Sequence, residues 1–306
     1  MSSYAVPELK IYRNTWGTEL YSCDYKQVLP ELHRLNYNGI EVSLGALKSL
    51  TENSKNHGDF LSTLKDNQLD VIGIVYTNWE DFKPNTYREM SVTQHLDNLK
   101  KEMIEITEKC KPLCVHINIM SGADNWNLQQ QEEFFGEALK LQSNFRVTSS
   151  HETHRGRSLF NPSLTEHLLK KFPDLRITAD YSHWIVVCER LLDPAYMKLF
   201  ASHVDHIHAR VGYDQHAQIS GDINDSHWRE ERDMFQQYWQ QIWEEHFKQK
   251  RQFTSLDPEY GPVPYTQTDP NRNYEPITDA WIMANSELKR QRMNYEKWSK
   301  SKEKNE

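Results

Sequence analysis

Eight short β-prone runs alternate with helical stretches along this chain, and that alternation narrows its fold more than any other feature. The runs are Lys10–Trp16, Gly39–Leu44, Asp70–Tyr76, Cys114–Met120, a stretch opening at Val147, Arg176–Asp180, His203–Arg210 and Gln252–Leu256. Asp70-Val-Ile-Gly-Ile-Val-Tyr76 is almost continuously apolar, the pattern of a parallel strand covered on both faces. Between the runs the apolar spacing changes to three and four. Val28, Leu29, Leu32 and Leu35 share one face of a helix over about Tyr25–Leu35, and Leu96, Leu99, Met103 and Ile106 share another. Phe60, Leu61 and Leu64 mark a short second helix, and Leu128–Leu141 a fourth. Ser163-Leu-Thr-Glu166 reads as a capping box that starts the fifth. Further helices are expected over Pro194–Ala201, from about Asp225 to Phe247, and over roughly Asp279–Lys297.

Eight such units in 306 residues fit an α/β fold of the (β/α)8 barrel type. The chain reads as one domain over 1–306, with a core over about 9–298 and a charged tail over 299–306 that is expected to fray. An open doubly wound sheet would carry a glycine-rich phosphate turn after its first strand. Here Asn14-Thr-Trp-Gly17 has one glycine.

Composition bounds the function classes. Hydrophobic residues are 37% of the chain, and 15 Tyr, 9 Trp and 11 Phe supply much of the area available for burial. A net charge of -8 argues against a protein that grips nucleic acid. No apolar run approaches the length of a membrane span, and the first residues lack a charged-then-apolar signal pattern. Of Cys23, Cys110, Cys114 and Cys188, the one close pair is four apart, which is not the spacing of a redox or zinc pair. Reduced thiols in a cytoplasmic protein are expected.

Barrel enzymes build their active sites at the C-terminal ends of their strands. The stretch Val147–Arg157 passes from β-prone to polar and carries Glu152 between His151 and His154, with Arg155 and Arg157 just beyond. Alone, it reads first as a salt-bridged surface group. The sixth run ends at Asp180, with His183 three residues on. The seventh places His206, His208 and Arg210 at alternate positions, on the inward face. The eighth leads to Glu259. Four consecutive tips thus offer Glu152, Asp180, His208 and Glu259. Three carboxylates so close repel one another unless a cation neutralises them. One imidazole with three carboxylates suits a hard or borderline octahedral ion such as Mn²⁺ or Mg²⁺. The competing arrangement is a set of interior salt bridges to Arg210 or Arg155. His206, one layer deeper, and His116, mid-strand, read as hydrogen-bonded core residues.

With these motifs the chain resembles the xylose isomerase-like TIM barrels, the sugar phosphate isomerase/epimerase superfamily. The residues that carry the resemblance are Glu152 in His-Glu-Thr-His-Arg-Gly-Arg, Asp180-x-x-His183, His206-x-His208, and Glu259 before Tyr-Gly-Pro. The resemblance covers strands two to eight, most of the chain. The resemblance implies an isomerase or epimerase of a sugar or sugar phosphate that abstracts a proton next to a carbonyl. It implies one divalent cation on Glu152, Asp180, His208 and Glu259, with Mn²⁺ foremost and Mg²⁺, Co²⁺ or Zn²⁺ as alternatives. Glu152 and Glu259 would be the proton-transfer groups on the two faces of the sugar carbon, and His183 would touch a substrate oxygen. Arg210 and His154 are further candidates for substrate contact. Arg155 and Arg157 face a phosphate or carboxylate, or else support Glu152.

Two departures from the family pattern stand out. Epimerases of the group often carry a substrate-binding arginine in the loop after strand seven, and Val211–Trp228 contains none. That loop is also long and holds His216 and His227. It and Tyr260–Arg272 are expected to form the pocket rim. DNA-repair members use three zinc ions and extra histidines, but the tips at Glu41-Val-Ser-Leu and Tyr76-Thr-Asn have no histidine. The expected partner is a small carbohydrate, with no nucleic acid and no membrane, and a homo-oligomer is compatible. Lyases or dehydratases of keto-sugars or keto-inositols share the scaffold and the first chemical step. A non-catalytic sugar-binding barrel is the third reading.

Overall fold

The β-prone runs pair in sequence order, each parallel to the next, and the last closes onto the first. This computed structural model describes residues 5–52, 55–78 and 89–303. The barrel strands are β1 (Glu8–Asn14), β2 (Gly39–Ser43), β3 (Asp70–Tyr76), β4 (Cys114–Met120), β5 (Thr148–Glu152), β6 (Ile177–Ala179), β7 (Val204–His208) and β8 (Phe253–Asp257). The described helices are α1 (Tyr25–Arg34), α2 (Leu44–Leu50), α3 (His57–Asp66), α4 (Val92–Cys110), α5 (Leu128–Gln142), α6 (Pro162–Lys171), α7 (Tyr181–Cys188), α8 (Pro194–Ala201), α9 (Arg229–Lys248) and α10 (Ala280–Glu303). No helix among the described residues is long and apolar enough to cross a membrane.

Alternation along the strands sorts two kinds of residue. One phase is aliphatic. Ile40, Val42, Ile117, Ile119, Ile177 and Ile207 are fully buried and join the core formed with the helices. The other phase is polar and bonds across the barrel interior. His116 Nε2 meets Ser150 Oγ at 2.7 Å, Ser150 Oγ meets Thr178 Oγ1 at 2.6 Å, and His206 Nδ1 meets Ser255 Oγ at 2.8 Å. The expected core roles of His116 and His206 are observed. Nearer the C-terminal end, Asn118 Nδ2 donates to Glu41 Oε1 at 3.0 Å. Buried polar groups must be paired, and the closed barrel pairs strands far apart in sequence to do it.

Four local readings differ from the structure. The second unit has two helices. α2 follows β2 directly and is capped by Ser43, whose hydroxyl accepts from Ala46 N. Gly45 and only two buried residues, Leu44 and Leu47, hid it. The fifth helix of the sequence reading, α6, starts earlier than its Ser163 capping box. Asn161 is the cap, accepting from Leu164 N at 2.9 Å, and Pro162 takes the first turn, where no N–H is needed. The sequence reading missed α7. Tyr181, Ser182, His183, Trp184 and Ile185 are all buried, so no polar face marks the helix. Finally, the charged tail does not fray at 299, because α10 runs to Glu303. Trp298 packs on Trp243 and Tyr295, and Lys302 Nζ reaches Glu244 Oε2 at 2.6 Å. Residues 304–306 lie outside the described chain.

Gly39 begins β2 at a point of close approach. A Cβ there would lie 2.3 Å from the Asp70 carbonyl oxygen and 2.7 Å from the Tyr12 ring. The first contact is backbone of the paired strand and cannot rotate away. Gly39→Ala is therefore expected to cost about 1–3 kcal/mol of stability. Urea unfolding checks this; an unchanged midpoint would mean that β2 shifts freely.

Candidate metal centre

Each acidic side chain of the centre owes its place to a strand end. Glu152 is the last residue of β5, and Glu259 follows β8 by two. Asp180 follows β6 and caps α7, its Oδ1 accepting from Ser182 N at 3.1 Å, which leaves Oδ2 facing inward. His208 ends β7. All four are buried, and one ligand atom from each lies within 4.8 Å of the others. His208 Nδ1 is the hub. It lies 3.1 Å from Glu259 Oε2, 3.7 Å from Glu152 Oε1 and 4.0 Å from Asp180 Oδ2.

The two glutamates are held in the same way. Asn118 Nδ2 donates to Glu152 Oε2 at 2.6 Å, and Asn14 Nδ2 donates to Glu259 Oε1 at 3.0 Å. Each carboxylate is thus fixed by one oxygen and turns the other toward His208. Sequence reasoning missed both asparagines. Asn118 gave a signal, a carboxamide within the largely apolar run of β4, whereas Asn14 ends a β1 that already holds Glu8, Lys10 and Arg13 and gave none.

Charge dominates the chemistry here. Burial works against a charged His208, but Glu259, Glu41 and Glu152 outweigh it and hold its pKa well above the usual imidazole value. Burial pushes Asp180 up to about 7, against the pull of Arg210. Burial would raise Glu259 too, yet His208 and Arg210 hold it below the usual carboxylate value. Three carboxylates face one guanidinium, so two negative charges stay uncompensated once His208 gives up its extra proton, as a metal-binding imidazole must. A divalent cation supplies that missing charge, and three carboxylates with an imidazole are a fitting donor set for one.

Arg210 combines the two arrangements that the sequence left open. Its Nη2 donates to Asp180 Oδ2 and, at 2.9 Å, to His183 Nε2. Its Nη1 donates to the Glu259 carbonyl at 3.2 Å, and its guanidinium lies 4.7 Å from the centre of the Tyr265 ring. The interior salt bridges to Arg210 therefore exist alongside the four-residue cluster. Arg155 also stands over the Tyr265 ring, 5.1 Å from its centre. Arg157 is buried and donates to the carbonyls of Asn78 at 2.7 Å and Gly122 at 3.3 Å, which ties the ends of β3 and β4 to the loop after β5. The rings of His154 and His183 meet at a tilt of 51°, with centres 3.8 Å apart. Burial drives both well below the ordinary imidazole pKa, with neighbouring arginines adding to the effect.

A cavity of about 460 Å³ opens above the cluster. Glu152, Glu259 and Arg210 line it, with Trp16, Tyr76 and Tyr265 among its walls. Tyr265 comes from Tyr260–Arg272, as expected for the rim. Val211–Trp228 contributes no lining residue. It acts from behind: Gln218 Nε2 donates to Gly261 O at 3.1 Å, and Gly261 N donates to Gln218 Oε1 at 2.8 Å. The wall is completed by the segment after β1, with Trp16, Glu19 and Cys23.

No protein-family model matches the chain, and no curated protein matches it in sequence. Solved structures do match in fold. The probable 3-DHS dehydratase AsbF from Bacillus anthracis aligns at 14% identity and TM-score 0.58, covering 92% of this chain and 97% of its own. A D-tagatose 3-epimerase-like protein aligns at 13% and 0.58, covering 96% and 99%. The IOLI protein with a bound zinc atom aligns at 12% and 0.57, covering 91% and 95%. At these identities the likeness carries the fold alone: the chain is built as a single closed (β/α)8 barrel, as these structures are.

The centre makes a direct prediction. Titrated with Mn²⁺ in a calorimeter, the chain is expected to bind one equivalent. His208→Ala is expected to weaken binding by more than roughly 100-fold, beyond the range of outer-shell changes. Equal affinity in the variant would show that the cation binds elsewhere.

Proposed function

We propose that this protein is a divalent-metal-dependent sugar isomerase or epimerase that works by proton abstraction next to a carbonyl. The observation that carries the reading is the matched pair of glutamates. Glu152 and Glu259 each have one oxygen fixed by an asparagine and the other turned to a shared point beside His208, at the floor of a cavity of sugar size. The fold likeness to a D-tagatose 3-epimerase-like protein supports the reaction class, and the zinc-bearing IOLI protein supports a divalent ion.

In this reading Glu152, Asp180, His208 and Glu259 hold the cation, with Mn²⁺ first among the candidates. A bound cation supplies Lewis-acid polarisation of a substrate carbonyl, which acidifies the neighbouring C–H. The chain's own groups do the rest. Glu152 accepts the proton from one face of the carbon, and Glu259, which His208 and Arg210 hold ionised and which therefore first takes a proton from solvent, returns one from the other. Arg210 donates only, so His183 Nε2 accepts from it and the neutral ring carries its hydrogen on Nδ1. That Nδ1 is buried without a hydrogen-bond partner among the described residues, and in this reading it donates to a sugar oxygen. Trp16 and Tyr265, whose ring centres are 5.0 Å apart, offer apolar faces to the sugar C–H groups. The reading takes the chain as one domain, active in the cytoplasm on a small carbohydrate.

A second reading rests on His154. It lines the cavity, lies against His183 and is held neutral, so its lone pair is available as a base for eliminating water from a keto-sugar. The fold likeness to a probable dehydratase favours keeping it.

A panel of ketoses incubated in D₂O with Mn²⁺ and read by mass spectrometry separates the two. Isomerisation is expected to incorporate deuterium without loss of water. Glu152→Gln and Glu259→Gln are each expected to slow exchange by on the order of 10²-fold or more, with bound metal measured in parallel. If both variants keep their metal and exchange at the wild-type rate, the two-glutamate scheme is wrong. A dehydrated product, lost in His154→Ala, would establish the second reading.

A further inference from the structure

Glu41 is a fully buried carboxylate at the centre of the barrel interior, and the scheme above does not use it. It stands on β2 and is not among the residues that line the cavity. Charged carboxylates are almost never buried to this degree without partners, because removing them from water costs several kcal/mol. Glu41 has three, from two other strands. Asn118 Nδ2 on β4 donates to its Oε1 at 3.0 Å. His206 Nε2 on β7 lies 3.4 Å from its Oε2. His208 Nε2, also on β7, meets both oxygens, at 3.2 Å and 3.1 Å.

The last contact decides the chemistry. An ionised carboxylate only accepts hydrogen bonds, so His208 Nε2 carries its hydrogen. A neutral imidazole has one hydrogen and one lone pair. With the hydrogen on Nε2, the lone pair is on Nδ1, the nitrogen that faces Glu152, Asp180 and Glu259. The Asn118 amide adds a second link, because the same Nδ2 that bonds Glu41 also bonds Glu152 Oε2 at 2.6 Å. One carboxylate thus fixes the ring of the histidine and, through one amide, the orientation of the glutamate beside it.

From this geometry we infer that Glu41 is a positioning residue: it holds His208 in the tautomer and ring orientation that present Nδ1 to a divalent cation. The inference rests on the metal-dependent reading above and deepens it. Metal-binding histidines commonly donate their second nitrogen to a carboxylate, and losing such a partner typically weakens metal affinity 10–100-fold. Gln at position 41 keeps an oxygen that accepts from Nε2–H, whereas Leu keeps only the volume.

The test compares the wild-type chain, Glu41→Gln and Glu41→Leu. Mn²⁺ affinity is measured by calorimetry and the Co²⁺-loaded proteins by visible absorption, with circular dichroism of the metal-free chains as the check on folding. Glu41→Leu is expected to weaken Mn²⁺ binding about 10–100-fold and to change the Co²⁺ spectrum, while Glu41→Gln stays within a few-fold of wild type and keeps its spectrum. Wild-type affinity in Glu41→Leu overturns the inference. An equal loss in both variants overturns it too, since charge and not the accepted hydrogen bond would then be responsible. A second measurement stands apart from how the variants fold. Nitrogen NMR of the wild-type His208 ring with Zn²⁺ bound is expected to place the hydrogen on Nε2 and the metal on Nδ1, and the reverse assignment overturns the inference. A wild-type chain that binds no cation overturns the metal-dependent reading as well, whereas normal wild-type binding with an unaffected Glu41→Leu overturns only the role of Glu41.

Discussion

His208 lies between two groups of carboxylates that would repel each other without it. Glu41 is on one side of the ring, and Glu152, Asp180 and Glu259 are on the other. At such distances in a water-poor interior the repulsion is large, and it must be answered by positive charge or by protons. The ring answers part of it, Arg210 another part, and the shortfall is of the size that a divalent ion fills. The arrangement depends on barrel closure, because the acidic groups arrive on β2, β5, β6 and β8 and only a closed sheet brings those strands around one imidazole.

This polar interior comes at the expense of stability. Aliphatic side chains in the same positions would pack a barrel core without any need for pairing. The chain instead keeps most of its strand aliphatics on the outward phase, where the helices cover them, with Ile72 and Ile74 of β3 on the inward one. Two asparagines, several hydroxyls and His206 satisfy the inward phase. Rigid strands hold these groups, so the carboxylates are oriented before any ligand arrives, which is the condition for efficient proton transfer and cation capture.

Arg210 adds a second element of order. It joins Asp180, His183 and the Glu259 backbone and supports Tyr265 from below. The floor of the cavity and its aromatic wall are therefore linked through one guanidinium. The long segment after β7 reinforces that wall from behind through Gln218 and Gly261, and does not itself reach the cavity.

The sequence alone determined the alternation of strands and helices, the closed eight-unit architecture it suits, and the order Glu152, Asp180, His208, Glu259 along successive strand ends. These are local properties: the period of apolar residues marks each element, and the last residues of a strand fall at the barrel's C-terminal face wherever its neighbours lie. Tertiary structure alone decided what each side chain bonds. Glu41 and His208 are 167 residues apart, and Asn14 and Glu259 are 245 apart. No local pattern pairs them; they meet because β2 and β7 face each other across a closed sheet and β8 returns to β1. The helix that carries His183 was hidden for the related reason that burial on every side erased its amphipathic signal. The wall built after β1 in place of Val211–Trp228 was likewise settled by which loops stand side by side once the barrel has closed.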